Sequence, residues 1–192
     1  FEGAAIEPGS PMDAERLGLV MIHQELSLVP GLTVAENLVL GREPSTAGLI
    51  PSSAVHRTAR RLLDRVRCRI DPDVPVGTLS VAEQQLVEIA RALGREARLV
   101  VMDEPTAALA DHEIEVLFEV IRGLCREGVP VIYISHRMPE IFTIADRVTI
   151  MRDGCTVGTR EVELTDVAEL IRLMVGRTIA EQIPKRDVAI GD

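Results

Sequence analysis

Two short apolar runs, Leu99–Met102 and Val131–Ile134, and a third strand-like stretch, Val148–Met151, alternate with segments whose apolar residues recur at helical spacing. That alternation limits the fold more than any other feature of the chain. Four apolar residues in a row, bounded by turn signals, read as a strand buried on both faces, and such strands belong to parallel sheets covered by helices. Between the first two runs, Ile114, Leu117, Phe118, Ile121, Leu124 and Cys125 mark one helical face, and Ile141–Ala145 makes a short helix before the third. Strand, helix, strand, helix, strand predicts a parallel α/β sheet. Ligands of such sheets sit outside the carboxyl ends of the strands, so the residues directly after each run are where chemistry is to be sought.

The other elements follow from caps and turns. Residues 10–17 read as a short helix with Ser10 as cap and Pro11 at its first position. Leu19–Ile22 reads as a strand, Pro30-Gly31 as a turn, and Thr33–Leu40 as a helix with Glu36 three residues after its Thr33 cap. Residues 41–52 read as a surface loop and Ser53–Arg69 as an arginine-rich helix with Val55, Leu62, Leu63 and Val66 on its apolar side. Leu86, Ile89, Ala90 and Leu93 mark a further helix. Asp153-Gly154 predicts a hairpin turn into Cys155–Val162, Leu164–Val175 a final helix, and Pro184 onward a linker.

Composition sets bounds on function. The 192 residues, 46% apolar, suffice for one domain with a sizeable core. No apolar run approaches the roughly 20 residues of a membrane-spanning helix, and the opening residues show no signal-peptide pattern. A net charge of −9 argues against a nucleic-acid groove as the main surface. Three widely spaced cysteines, Cys68, Cys125 and Cys155, predict a reduced, cytosolic chain without a disulfide framework or zinc site. Of the 21 basic residues 20 are arginines, and the one lysine is Lys185, so a phosphate loop built on a lysine has no candidate within this chain. With Phe1 at its start, the chain is expected to be a fragment of a longer protein.

Leu99–Met102 is followed by Asp103, Glu104, Pro105 and Thr106. An aspartate after a buried strand suits Mg²⁺, which takes one or two carboxylates plus water and phosphate oxygens. The next residue can reach a water as general base toward a phosphoryl group. The pair reads equally as a helix cap or solvated turn acids. His136 follows the next strand, which in a parallel sheet puts it in the same crevice as Asp103 and Glu104, although a lone histidine there also serves structure. Ser80 and Glu83 open a helix as a capping box, and the same helix start offers free amides and a hydroxyl to phosphate. Gln24, after Leu19–Ile22, is a neutral group able to contact a metal or its waters.

Taken in order, Met-Ile-His-Gln-Glu around Gln24, Leu-Ser-Val-Ala-Glu-Gln-Gln from Leu79, Val-Val-Met-Asp-Glu-Pro-Thr around Asp103 and Tyr-Ile-Ser-His-Arg around His136 resemble the motifs of an ATP-binding cassette (ABC) ATPase. The resemblance runs over roughly residues 1–184 and is closest to the first cassette of tandem-cassette monosaccharide importers of the ribose, xylose and galactose type. His-Gln-Glu-Leu, Leu-Ser-Val-Ala and the ending Met-Val-Gly-Arg through Pro-Lys-Arg carry that narrower likeness. It implies a P-loop NTPase-like cassette fragment: residues 1–183 as a partial nucleotide-binding domain, a helical signature subdomain at about 33–96, and 184–192 as a linker toward a second cassette. By the same resemblance Glu104 is the catalytic glutamate and His136 the switch histidine. Asp103 holds Mg²⁺, and Gln24 touches Mg²⁺ or water and faces the membrane subunit. Ser80, Val81, Ala82, Glu83 and Gln84 form the signature that binds ATP held by the opposite cassette.

The chain departs from the family pattern in several places. The lysine-bearing phosphate loop (Walker A) and the adenine-stacking aromatic residue, which lie upstream in the family, are missing here. Val81 and Ala82 replace the usual signature glycines, Glu83 replaces a glutamine, and Ala110 stands where a D-loop aspartate is expected, with Asp111 one place late. The implied function is the ATP-binding subunit of a sugar importer, with ATP and Mg²⁺ as cofactors. Membrane permease subunits and a second cassette are the implied partners, on the cytoplasmic side of the plasma (inner) membrane, and no nucleic acid. The fragment alone is expected to be inactive. The alternatives are a soluble ABC ATPase not tied to transport and a non-catalytic module that contacts a permease.

Overall fold

The computed structural model describes residues 1–45, 48–95 and 97–175, and they form two compact units divided after His136. The expected linker over 184–192 lies outside the described residues. In the first unit, β1 (Leu19–Ile22), β2 (Leu99–Asp103) and β3 (Val131–Ile134) make a parallel sheet in that order. The register sets Ile22 beside Met102 and Asp103 beside Ile134, so all three strands end on one edge.

Burial in this sheet alternates rather than covering both faces. Val20, Ile22, Val100 and Met102 are at most 2% exposed, whereas Met21, Ile132 and Ile134 are 45%, 50% and 43% exposed. The expectation of strands buried on both sides is corrected accordingly. Among the described residues α4 (Val81–Leu93) packs against β1 and α5 (Asp111–Arg126) against β3, and the face that carries Met21 and Ile132 stays open.

Four further helical features place the loops. Ser10 caps α1 (Pro11–Arg16) by accepting the Asp13 N–H. Thr33 and Glu36 form the expected capping box on α2 (Val34–Val39). Asn37, fully buried, fixes the preceding loop: its Oδ1 accepts the Val29 N–H at 2.8 Å and its Nδ2 donates to the Val29 and Thr33 carbonyls, each at 3.0 Å. The arginine-rich helix α3 (Ser52–Arg65) ends four residues short of the expected Arg69. Arg67 turns into the left-handed region at φ 53°, and the Cys68 N–H reaches the Leu63 carbonyl at 2.9 Å, which closes the helix as a glycine usually does. α2, α3 and α4 pack on one another.

The second unit begins with α6 (Met138–Ile144) and a two-stranded antiparallel sheet of β4 (Arg147–Arg152) and β5 (Cys155–Glu161). Here the expectation that Val148–Met151 is a third strand of the parallel sheet fails. Asp153 and Gly154 both have positive φ, 51° and 76°, the geometry of a two-residue hairpin turn, and the chain folds back to pair β4 locally with β5. β1 supplies the third parallel strand instead. α7 (Val167–Val175) starts at Val167 rather than Leu164, because Asp166 Oδ1 accepts the Glu169 N–H at 2.7 Å and caps it there. Among the described residues no helix is long and apolar enough to cross a membrane.

Candidate functional site

The carboxyl edge of the three-stranded sheet gathers Asp103, Glu104 and His136. Asp103 is the last residue of β2, half-buried, and Glu104 follows at φ 44°. A non-glycine residue in that region costs on the order of 1–3 kcal/mol and persists only where its surroundings hold it. Here the Glu104 N–H donates to the Ile134 carbonyl at 2.9 Å, so β3 holds the turn. His136, two residues beyond Ile134, brings its Nδ1 to 2.9 Å from Glu104 Oε1. The Glu104 side chain is 30% exposed and that of His136 71%, so the pair sits at the surface with the carboxylate sheltered and the ring open to a ligand. An ionised carboxylate only accepts, so Nδ1 carries the proton in this bond.

Gln24 lies two residues past β1 on the same edge, exposed and without a hydrogen-bond partner among the described residues. Its loop is tied to α4 by groups that sequence reading did not single out. Ser27 Oγ donates to Glu88 Oε1 at 2.8 Å, Arg91 pairs with the same carboxylate at 2.6 Å, and Arg91 also donates to the Ser27 carbonyl at 3.2 Å. Glu88 is 6% exposed. A carboxylate between Val87 and Ile89, on the side of the helix that must be buried, was the available signal for it, as the amide of Asn37 was among Val34, Ala35, Leu38 and Val39.

Ser80 to Gln84 occupy the start of α4. The capping box is present on both sides: Glu83 Oε2 accepts the Ser80 N–H at 2.8 Å, and Ser80 Oγ accepts the Glu83 N–H at 3.3 Å. Gln84 spends its amide on the Leu79 carbonyl at 3.0 Å. The N–H groups of Val81 and Ala82 remain as the open donors of this helix start. No hydrogen bond or ion pair joins residues 80–84 to Asp103, Glu104 or His136 among the described residues. Their neighbour is the start of α5, across a largely apolar cavity of about 290 Å³ lined by Ser80, Glu83, Gln85, Leu109 and His112. One constellation thus sits at the sheet edge, and a second group sits apart at a helix start.

The chain is similar to known proteins in sequence and in fold. Residues 1–107 match the family described as ABC transporter. Over 192 residues the chain is 56% identical to ribose import ATP-binding protein RbsA 3 of Rubrobacter xylanophilus, covering all of this chain and 39% of that protein. Over 193 residues it is 50% identical to ribose import ATP-binding protein RbsA of Chromobacterium violaceum, covering all of this chain and 38% of that one. The chain therefore spans well under half the length of these relatives. The fold is similar to the ADP conformation of MJ1267, an ATP-binding cassette of an ABC transporter, with a TM-score of 0.73 at 24% identity over 92% of this chain and 76% of that one. It is equally similar to a nucleotide-free ATP-binding cassette from an ABC transporter, with a TM-score of 0.73 at 23% identity over 96% of this chain and 76% of that one.

Proposed function

Because the chain belongs to the ABC transporter family, we propose that it is most of the first ATP-binding cassette of a sugar importer, coupling ATP binding and hydrolysis to transport through permease subunits. We take residues 1–183 as that cassette, 33–96 as its helical subdomain and 184–192 as a linker toward a second cassette. The observation that carries this reading is the 2.9 Å bond between His136 and Glu104, beside Asp103. A ribose-type sugar is the proposed cargo, on the strength of the relatives' names. The proposed location is peripheral, on the cytoplasmic face of the plasma (inner) membrane.

The donor chemistry suits Mg²⁺. The Asp103 carboxylate and the Gln24 amide oxygen are hard ligands, and a phosphate-bound Mg²⁺ needs no more than one or two carboxylates. When bound, the cation neutralises charge on the phosphate oxygens. Glu104 accepts the proton of the attacking water. His136 holds the Glu104 carboxylate through Nδ1, and as an imidazolium it also donates from Nε2 to a phosphate oxygen. The Val81 and Ala82 amides and the Ser80 hydroxyl, at the positive end of α4, receive the γ-phosphate of ATP anchored on the second cassette.

The test is Glu104→Gln in the complete protein, with the other ATP site disabled. Loss of a positioned base lowers hydrolysis by about 10²–10⁴-fold while ATP still binds. Near-normal turnover removes Glu104 from the role of base. Sugar uptake into vesicles carrying the permease, abolished by the same variant, separates transport from a free-standing ATPase.

A further inference from the structure

The arginines of this chain are unevenly spread. Residues 57–69 hold six of them and one acid, Asp64, a net +5 in a chain of net −9, so the remainder carries −14. On α3, Arg57, Arg60, Arg61 and Arg65 follow one another at helical spacing, on the side opposite the buried Val55, Ala59, Leu62 and Leu63. Arg67 and Arg69 follow the helix in sequence, and all six are exposed. Arg65 pairs with Glu127 at 2.8 Å, while Arg57, Arg60, Arg61, Arg67 and Arg69 have no acid partner among the described residues. Like charges four apart, as in Arg57–Arg61 and Arg61–Arg65, disfavour the helix that carries them. An anionic surface laid along the row reverses that sign.

A second observation lies at the edge of the row. A cleft of about 50 Å³ between α2, α3 and α4 is lined by Arg42, Arg61, Arg91 and Arg95 together with Leu38 and Leu62. Glu15 is shared by Arg42 and Arg95, and Glu88 pairs with Arg91, so Arg61 is the cleft arginine without an acid partner among the described residues. Leu49 and Ile50, 74% and 55% exposed, immediately precede α3. Unpaired guanidinium groups beside exposed aliphatic side chains are the two components of an interfacial membrane contact.

We propose that the arginine row of α3, with the cleft that Arg61 shares, is a docking site for anionic phospholipid headgroups, so that the layer of α2, α3 and α4 rests on the membrane surface. A guanidinium matches a phosphodiester with two parallel hydrogen bonds, which an ammonium does not. The −14 on the rest of the chain does not forbid this, because charges more than about 10 Å away are screened at 0.1 M salt. The net charge of −9 argues against a nucleic acid as the occupant. The inference goes beyond the nucleotide reading above, and its test does not depend on that reading.

The experiment is co-sedimentation of the complete protein with phosphatidylcholine vesicles, with and without phosphatidylglycerol, at low and physiological salt. The protein is expected to bind only the anionic vesicles, and less at higher salt. A basic residue near an anionic leaflet strengthens binding about fivefold, so Arg57→Gln, Arg60→Gln and Arg61→Gln together should weaken it on the order of 100-fold. The charge-matched set Arg16→Gln, Arg122→Gln and Arg147→Gln should leave it within a few-fold of the parent protein. Arg57→Lys, Arg60→Lys and Arg61→Lys together should keep most of the binding, with an unchanged far-ultraviolet spectrum in every variant. Equal binding to neutral vesicles, equal loss in the lysine and glutamine sets, or tighter binding to duplex DNA than to the anionic vesicles overturns the proposal.

Discussion

His56 shows how much of a local interaction a linear pattern conceals. Its Nε2 lies 2.6 Å from Asp73 Oδ1 and its Nδ1 2.8 Å from the Ser52 carbonyl, so the protonated ring donates on both sides. The Asp73 hydrogen bond first, then the Ser52 carbonyl, raises the histidine above its ordinary value, with Arg60 opposing. A histidine raised in the folded state stabilises fully below its unfolded value, about 6.5, and that contribution disappears as the pH climbs through the raised one. Asp73→Asn is therefore expected to lower the melting temperature at pH 5.5 and to leave it nearly unchanged at pH 8.5; equal losses at both would show that the ion pair is not the cause. The partners stand 17 residues apart across a loop, and no periodicity announces them. Glu104 is the opposite case. Its position after an apolar run was legible, because the end of a strand is a local pattern. Its left-handed backbone was not, since that depends on the Ile134 carbonyl of another strand.

At the scale of elements, three local caps were read correctly, and the equally local Asp166 cap of α7 was missed. Ser10, Thr33 with Glu36, and Ser80 with Glu83 all cap as their spacing predicts. The end of α3 was misplaced because Arg67, not a glycine, takes the left-handed position, and arginine carries no stop signal. α5 supplies the sharpest test. Glu113 Oε2 accepts the Ala110 N–H at 2.8 Å, but Ala110, the capping residue, has no side-chain acceptor to return to the helix. Half of a capping box is in place. Ala110→Ser completes it and is expected to add about 1 kcal/mol, within a range of 0.5–2. For a chain of this size that raises the melting temperature by about 2–4 °C per kcal/mol. An unchanged or lower melting temperature would mean that the helix start is already satisfied by another group.

At the scale of the molecule, the 192 residues by themselves are expected to release no phosphate from Mg-ATP. No lysine precedes Lys185, and Glu104, His136 and the start of α4 supply a base and donors but no lysine-bearing cradle for the triphosphate. A phosphate-release assay checks this, and turnover that Glu104→Gln abolishes would overturn it. What the sequence determined alone was most of what neighbours along the chain set: the elements, the caps of α1, α2 and α4, the Asp153-Gly154 turn, and the placing of Asp103, Glu104 and His136 at strand ends. The partners of those elements were a different matter. Four apolar residues look the same whether one face or both are covered, so the open side of the sheet could not be read from Val131–Ile134. Nor could the pairing of β4, because a strand in a hairpin and a strand in a parallel sheet share one apolar pattern, and only the chain's folding back decides which edge it meets. Parallel register is what joins Glu104 to His136. It arises from β2 and β3 lying side by side, a long-range contact that no spacing between residues 104 and 136 encodes.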